Sequence, residues 1–287
     1  MKMLIIADSG STKTDWRILT SHHKQLDIST IGLNPYFVDK EEIIKILISK
    51  IRNSVNSDEL AQKTSVYFYG AGCGTEASKQ KMKDCLSEVF QNADIQVEDD
   101  MLGAARAIVG NDIGVVGILG TGSNVCLYQN GQIVQRTPSN GIWFGDFGSA
   151  GNLGKCIITS YLNQDLPIDL KEQFEEKYTE RRAEILDRVY SKPLPNQYLA
   201  SFSHFIYENL KHPFIERLVE EQFEQFFDFS IKKIPNAPQY PYFFVGSVAI
   251  HYENILRKTA KNKGIEIQRI VKNPIDDLLN YHKNKIL

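Results

Sequence analysis

Residues Gly117–Asn124 read GILGTGSN, and an earlier stretch, Ala7–Trp16, reads ADSGSTKTDW. In both, an apolar run passes straight into glycine and small hydroxyl or amide side chains, and a second strand-like run follows. A strand that ends in a turn with almost no side chain leaves its main-chain N–H groups bare, and consecutive bare N–H groups form a concavity suited to an anion. Serine and threonine hydroxyls add neutral donors without bulk. SGST (Ser9–Thr12) and TGSN (Thr121–Asn124) lie 112 residues apart, each between a first and a second strand, so the chain reads as one β-rich module used twice.

The pattern around these turns predicts strands at Met3–Ala7, Trp16–Thr20, Leu26–Ile31, Thr64–Gly70 and about Ile95–Val97. Helices are predicted over Asp39–Arg52, with Ile43, Ile44, Leu47 and Ile51 on one face, and over Thr75–Phe90. From Asp112 three strands joined by tight turns recur, DIGVVGIL, NVCLY and IVQRT. Gly148–Ile234 reads as helical, and its phenylalanines, as in FIERLVEEQFEQFFDF, suit a core or a dimer face better than a ligand site. YFFVGS then gives a buried strand ending in a third glycine turn. A helix at Val248–Lys261, a strand at Ile265–Val271 and a last helix entered through Asn273 and Pro274 complete the chain. Strands alternating with helices imply mixed sheets flanked by helices, an α/β class.

At 287 residues the chain suits two domains rather than one core. A net charge of −2 supplies no field for nucleic acid, and no apolar run approaches a bilayer-spanning length, so neither nucleic acid nor membrane is an expected partner. The apolar stretch in MKMLIIADSG is too short for a signal-peptide core, which makes the cytoplasm the expected compartment. Cys73, Cys85, Cys126 and Cys156 match neither metal-binding pairs nor a disulfide framework and read as reduced thiols. The spacing of a P-loop is absent, as is G-x-G-x-x-G opening a helix after the first strand, so a nucleotide reading rests on the doubled hairpin.

The motifs DSGSTKTDW, GAGCG, EDDMLGAARA, GILGTGSN, GDFGSAGNLG and FVGSVA occur in the order seen in the N-acetylglucosamine kinases and the related BadF/BadG/BcrA/BcrD-type ATPases, and the chain resembles that family from about Met3 to Ala249. The family belongs to the actin, sugar kinase and Hsp70 superfamily. The resemblance implies two ribonuclease-H-like, actin-like ATPase lobes with a cleft between them. The N-terminal lobe would span 1–105 and be joined by the C-terminal helix 275–287; the C-terminal lobe would span 106–274, with a helical insert at about 155–235. It also implies ATP and magnesium as cofactors, phosphoryl transfer to the hydroxyl of a small amino sugar, and a homodimer as a candidate assembly.

Residue by residue, the resemblance makes Asp8 the magnesium carboxylate. Gly10, Ser11 and Thr12 would contact phosphate on one lobe, and Gly120, Thr121, Gly122 and Ser123 on the other. Lys13 is either a further phosphate contact or a solvated lysine. The acids in EDDMLGAARA stand between a strand and a helix; the family's acid, two residues, glycine spacing makes Asp100 the general base, with Asp99 as a solvent-facing neighbour or helix cap. Asn34, Asn124, Gly145 and Asp146 fall at sugar-contacting positions, and Gly246 and Ser247 at the adenine and ribose cover. Phe147 departs from the glutamate common in the family's GDEGS, which opens two alternatives: a nucleotide- or sugar-binding sensor, or an ATPase coupled to a partner protein.

Overall fold

Met3–Ala7 are buried on both faces of β1 (Met3–Ser9), the signature of a central strand rather than a half-wet one. The computed structural model describes residues 2–61 and 63–286. β1 pairs antiparallel with β2 (Lys13–Leu19), which pairs antiparallel with the edge strand β3 (Gln25–Ile31). On its other side β1 runs parallel to β4 (Thr64–Gly70), and β4 parallel to β5 (Ala93–Asp99), giving the order β3-β2-β1-β4-β5. The second sheet is built from β6 (Ile113–Leu119), β7 (Ser123–Gln129), β8 (Gln132–Arg136), β9 (Tyr242–Val245) and β10 (Ile267–Val271). Its order, β8-β7-β6-β9-β10, with β6 antiparallel to β7 and parallel to β9, repeats that of the first.

The helices of the first half are α1 (Lys40–Ile46), α2 (Ser57–Ala61), α3 (Glu76–Val89) and α4 (Asp100–Val109). Those of the second are α5 (Gly141–Phe144), α6 (Ala150–Leu162), α7 (Ile168–Lys177), α8 (Arg182–Tyr190), α9 (Pro195–Ser201), α10 (Ser203–Glu208), α11 (Pro213–Phe229), α12 (Ser247–His251), α13 (Glu253–Asn262) and α14 (Ile275–Ile286). Among the described residues no helix is long and apolar enough to cross a membrane.

The chain divides into two compact units. One comprises residues up to Asp112, Asn130–Gln132 and the chain from Asn273 onward; the other comprises Ile113–Gln129 and Ile133–Lys272. In the first, one sheet face packs Ile5, Ala7, Trp16 and Phe68 with Ile43 and Leu47 and with Met82 and Leu86 of α3. The opposite face packs Leu4, Ile6 and Tyr69 with Ala107 of α4 and Leu278 and Leu279 of α14. A polar chain runs through this second layer. Arg106 of α4 donates to the Tyr69 hydroxyl (2.8 Å), which meets Nε2 of His282 on α14 at 2.8 Å. Burial, helped by the Arg106 and Lys285 charges, drives His282 down to about 3. The imidazole is therefore neutral, its Nε2 accepts the tyrosine proton, and all three groups are satisfied in sequence.

In the second unit Phe174, Phe202, Phe205, Phe223, Phe226 and Phe227 are all buried in one core, and Phe226 and Phe227 of α11 meet the Phe244 ring on β9. Most of the predicted phenylalanines are core, whereas Phe229 is exposed and meets the Phe147 ring. The predicted single helix over Asp39–Arg52 begins as expected, with Asp39 capping the Glu42 N–H, but passes into a π-helical turn at Leu47–Ile51. Ile43, Leu47 and Ile51 recur every four residues, and the wider turn holds that spacing on the buried line. The helix predicted over Val248–Lys261 is instead two, α12 and α13. Tyr252 leaves helical geometry between them (φ −112°, ψ 24°) and its hydroxyl donates to the Ser203 carbonyl. The short helices α2 and α5 had no periodic signal.

α6 approaches α9 so closely that a Cβ built on Gly154 would lie 1.8 Å from the Leu199 carbonyl oxygen. Gly154→Ala is therefore expected to lose about 1–3 kcal/mol in urea unfolding, although alanine is the better helix former. A change within about 0.5 kcal/mol would mean that the helices separate freely.

Candidate active site

The parallel strands of the first unit end in register. Ser9 stands opposite Gly70, and Gly70 opposite Asp99. The carboxyl ends of parallel strands are where open α/β sheets present ligand-binding groups, because loops and helix N-termini gather there. Asp99 closes β5 and caps α4, its Oδ1 accepting from the Leu102 N–H at 2.9 Å, and it is buried. Asp100 is the first helical residue, half-buried, with Oδ1 near the Met101 N–H (3.0 Å). Of the adjacent acids, one carboxylate is committed to the helix end and the other stands at its first turn.

Asp8, one residue before Ser9, pairs with Tyr69 and so lies on the sheet face that α4 covers, opposite to that of Asp99. Burial first, then the charges of Asp100 and Asp15, push its carboxyl up from 3.8 to about 7, against a smaller opposing pull from Lys13. Asp15, which the sequence reading passed over, lies directly across the hairpin from Asp8. It accepts from the Ser29 hydroxyl (2.5 Å) and pairs with Lys13 Nζ (2.6 Å). The half-exposed Lys13 is thus engaged with a carboxylate of its own hairpin. The Gly10 N–H donates to the Lys13 carbonyl, closing the turn that carries Ser11 and Thr12.

This turn is joined to the segment that bears Asn34. The hydroxyls of Ser9 and Thr14 meet at 2.7 Å, and both lie within reach of the Leu33 N–H (3.1 and 3.2 Å). The Gly32 N–H donates to the Thr12 carbonyl, and a Cβ on Gly32 would lie 2.5 Å from the Gly10 oxygen. Gly32 is a further residue that the sequence reading missed; its signal was its place between an edge strand and Asn34. Cys73, beside these strands, is a free thiol held up at about 12 by burial and by Asp100 and Asp99.

The second unit builds its own cluster. β6 ends at Leu119, opposite Ser123, with Gly120, Thr121 and Gly122 as the turn. The first N–H groups of α6 secure it: Ala150 donates to the Gly120 carbonyl (2.8 Å) and Gly151 to that of Thr121 (3.1 Å). Asp146, in left-handed geometry (φ 52°), turns its Oδ1 onto the Ser123 N–H at 3.2 Å. Burial raises its carboxyl, while the Ser123 amide and the Lys155 charge oppose the rise. Asn124, Gly145 and Asp146 line a cavity of about 200 Å3 together with Phe144, Phe147 and Phe229. Phe147 stands as a wall of that cavity, with its ring 5.2 Å from Phe229. Gly246 crosses the turn so closely that a Cβ would meet the Leu119 oxygen at 2.2 Å, and at φ 124° only glycine is at ease there; Ser247 then opens α12.

The two turns occupy equivalent places, yet the sequence match between them slips. Ser9 is the last residue of β1, whereas Thr121 lies inside the second turn, so Gly10 corresponds to Gly120 rather than Gly122. The second turn is one residue tighter, and small residues hide such an offset.

Because Asp8 titrates near 7 when folded and near 3.8 when unfolded, the folded state keeps a proton that the unfolded chain has already released between those values. Stability from this site is present below pH 3.8 and is lost as pH rises through 7. In EDTA, Asp8→Asn should therefore melt above wild type by a margin that widens from pH 5 to pH 8. A margin equal at both would show that Asp8 ionises at no cost.

No family model matches the chain, and no curated protein matches it. A crystal structure described as "Putative N-acetylglucosamine Kinase" from Porphyromonas gingivalis superposes with a TM-score of 0.92 at 38% identity, covering 99% of this chain and 100% of the other. A second structure of the same description, from Chromobacterium violaceum, superposes at 0.74 with 14% identity, covering 98% and 99%. A ROK family glucokinase from Streptomyces griseus, in complex with glucose and AMPPNP, superposes at 0.56 with 12% identity over 98% of each chain. The last two speak for the fold alone. An identity of 38% along essentially the whole of both chains goes further, and this chain belongs to the N-acetylglucosamine kinase-like family of the Porphyromonas gingivalis protein.

Proposed function

We propose that this chain is an ATP-dependent kinase that phosphorylates a hydroxyl of an amino sugar, with N-acetylglucosamine the first candidate. The observation that carries the reading is the pairing of whole-length kinship with the division of labour at Asp99 and Asp100. A sugar kinase needs a carboxylate near the acceptor hydroxyl; Asp99 caps α4, and Asp100, which accepts from the Met101 N–H, stands at its first turn.

In this reading Asp100 accepts the proton of the sugar hydroxyl as its oxygen bonds to the γ-phosphorus and the bond from that phosphorus to the ADP oxygen breaks. The loose transition state lets the proton move late, so an ordinary carboxylate suffices. Gly10, Ser11 and Thr12, and Gly120, Thr121, Gly122 and Ser123, hold phosphate oxygens through amides and hydroxyls. The fit is supported by space: a Cβ on Gly10 would meet only the Lys13 oxygen at 3.7 Å, and one on Gly120 would meet nothing within 4 Å. Gly246 and Ser247 would border the nucleoside.

Asp8 would hold magnesium, which takes one or two protein carboxylates and fills its remaining positions with water and phosphate. When bound, the ion would neutralise phosphate charge. The raised Asp8 carboxyl fits a group whose ionisation a cation would favour, since the neighbouring Asp100 and Asp15 charges oppose it. Asn34, Asn124, Gly145 and Asp146 would contact the sugar, the last from the wall of its cavity.

A panel of amino sugars tests the reading through sugar-dependent ADP release. N-acetylglucosamine should support turnover, and Asp100→Asn should lower kcat by about 10²–10⁴ with ATP affinity retained. Equal turnover by the variant would remove Asp100 as base. Hydrolysis independent of any sugar and raised only by a second protein would instead make the chain a coupled ATPase, and sugar binding without turnover would make it a sensor.

A further inference from the structure

Asn34 lies in a tight turn between β3 and α1 and is 7% exposed. Its Oδ1 accepts from the Tyr36 N–H (3.0 Å), and its carbonyl accepts from those of Phe37 and Val38 (3.0 Å each). One lone pair of the side-chain oxygen is therefore engaged within the turn, and Nδ2 is the donor that Asn34 can offer a ligand. Two residues from elsewhere hold this arrangement. Gly72 (φ 88°) makes room for it, since a Cβ there would lie 2.2 Å from Asn34 Oδ1. Lys81, half-buried on α3, sets its ammonium on the carbonyls of Pro35 (2.5 Å) and Val38 (3.4 Å). On the same helix Lys79 pairs with the carboxylates of Glu98 and Glu76, as lysines ordinarily do. Lys81 spends its charge on main-chain oxygens at both ends of one turn.

We propose that Lys81 is a positioning residue for the acceptor: by gripping Pro35 and Val38 it fixes the amide of Asn34 and the rings of Tyr36 and Phe37 for a pyranose. Those rings are 63% and 61% exposed on the turn that carries Asn34. A pyranose offers hydroxyls to a donor such as Nδ2 and an apolar C–H face to an aromatic ring. The inference rests on the reading of Asn34 as a sugar contact, and the experiment separates the two.

N-acetylglucosamine and a nonhydrolysable ATP analogue with magnesium are each titrated calorimetrically into the full-length wild type, Lys81→Met, Lys81→Arg and Asn34→Asp, alongside steady-state kinetics. Lys81→Met should weaken sugar binding and raise the sugar KM about tenfold, with nucleotide affinity and kcat changed less than about twofold. Lys81→Arg should recover part of the loss, because a guanidinium can donate to the same two carbonyls. Asn34→Asp keeps the acceptor for Tyr36 but replaces the donor with a charged oxygen, and it too should weaken the sugar. If Asn34→Asp weakens binding while Lys81→Met binds as wild type, the positioning role is wrong and Asn34 stands. If Lys81→Met weakens sugar and nucleotide alike, Lys81 serves general stability and the inference is overturned. If Asn34→Asp binds normally, or the wild type takes no sugar, the Asn34 reading fails and takes the inference with it. Should Lys81→Met fold poorly by thermal melting, Lys81→Gln, too short to span both carbonyls, decides by the same criteria.

Discussion

The cost of burying one carboxylate beside two others bears on the whole of the first unit. Asp8, Asp15 and Asp100 come from a central strand, its hairpin partner and a helix start, and burial first, then the charges of the other two, raise the Asp8 carboxyl to about 7. Folding alone would not keep such a group, because an alanine or asparagine would pack at less electrostatic expense. The surrounding scaffold holds it nonetheless. β1 is buried on both faces, Asp15 is pinned by Ser29 and Lys13, and Asp99 fixes where α4 begins and hence where Asp100 stands. Perturbed carboxyls of this kind cluster at functional sites, which makes Asp8 a candidate for one.

α4 must also be kept from sliding, since a shift of one residue along its axis would carry Asp100 away by about 1.5 Å. The Arg106, Tyr69 and His282 chain supplies that restraint from the far end of the helix. It works because His282 is neutral: a protonated ring would offer the tyrosine no acceptor and would face the Arg106 charge. The last helix of the chain, remote in sequence from the acids, thereby fixes the element that carries one of them.

The elements written in local chemistry were legible: glycine-bounded apolar strands, capped helices, and the bare turns at Gly10 and Gly120. That Asp99 rather than Asp100 caps α4 appears only on folding, because either acid of an adjacent pair can cap a helix. Asp15, Gly32 and Lys81 were illegible for a different reason. Their partners lie across a hairpin, in another turn, or at the end of a contact spanning more than forty residues of sequence, and no periodicity or motif announces such a meeting. The π turn at Leu47 escaped because its residues satisfy helical spacing approximately, and the excess width appears only when the core demands every fourth side chain.

The comparison of the two turns shows why duplicated modules diverge in chemistry while keeping topology. In the first, the strand itself supplies the acid, Asp8, and a cross-strand pair supplies its neighbour. In the second, the corresponding strand position is Ile118, and the carboxylate comes from outside the strand, from Asp146 in left-handed geometry against the Ser123 amide. An acid on a strand is held by the whole sheet and tolerates neighbouring charge; an acid on a loop is held by one amide and the helix that follows it. The first arrangement suits a charge that must endure repulsion, and the second leaves a carboxylate in the wall of a cavity with more freedom to adjust.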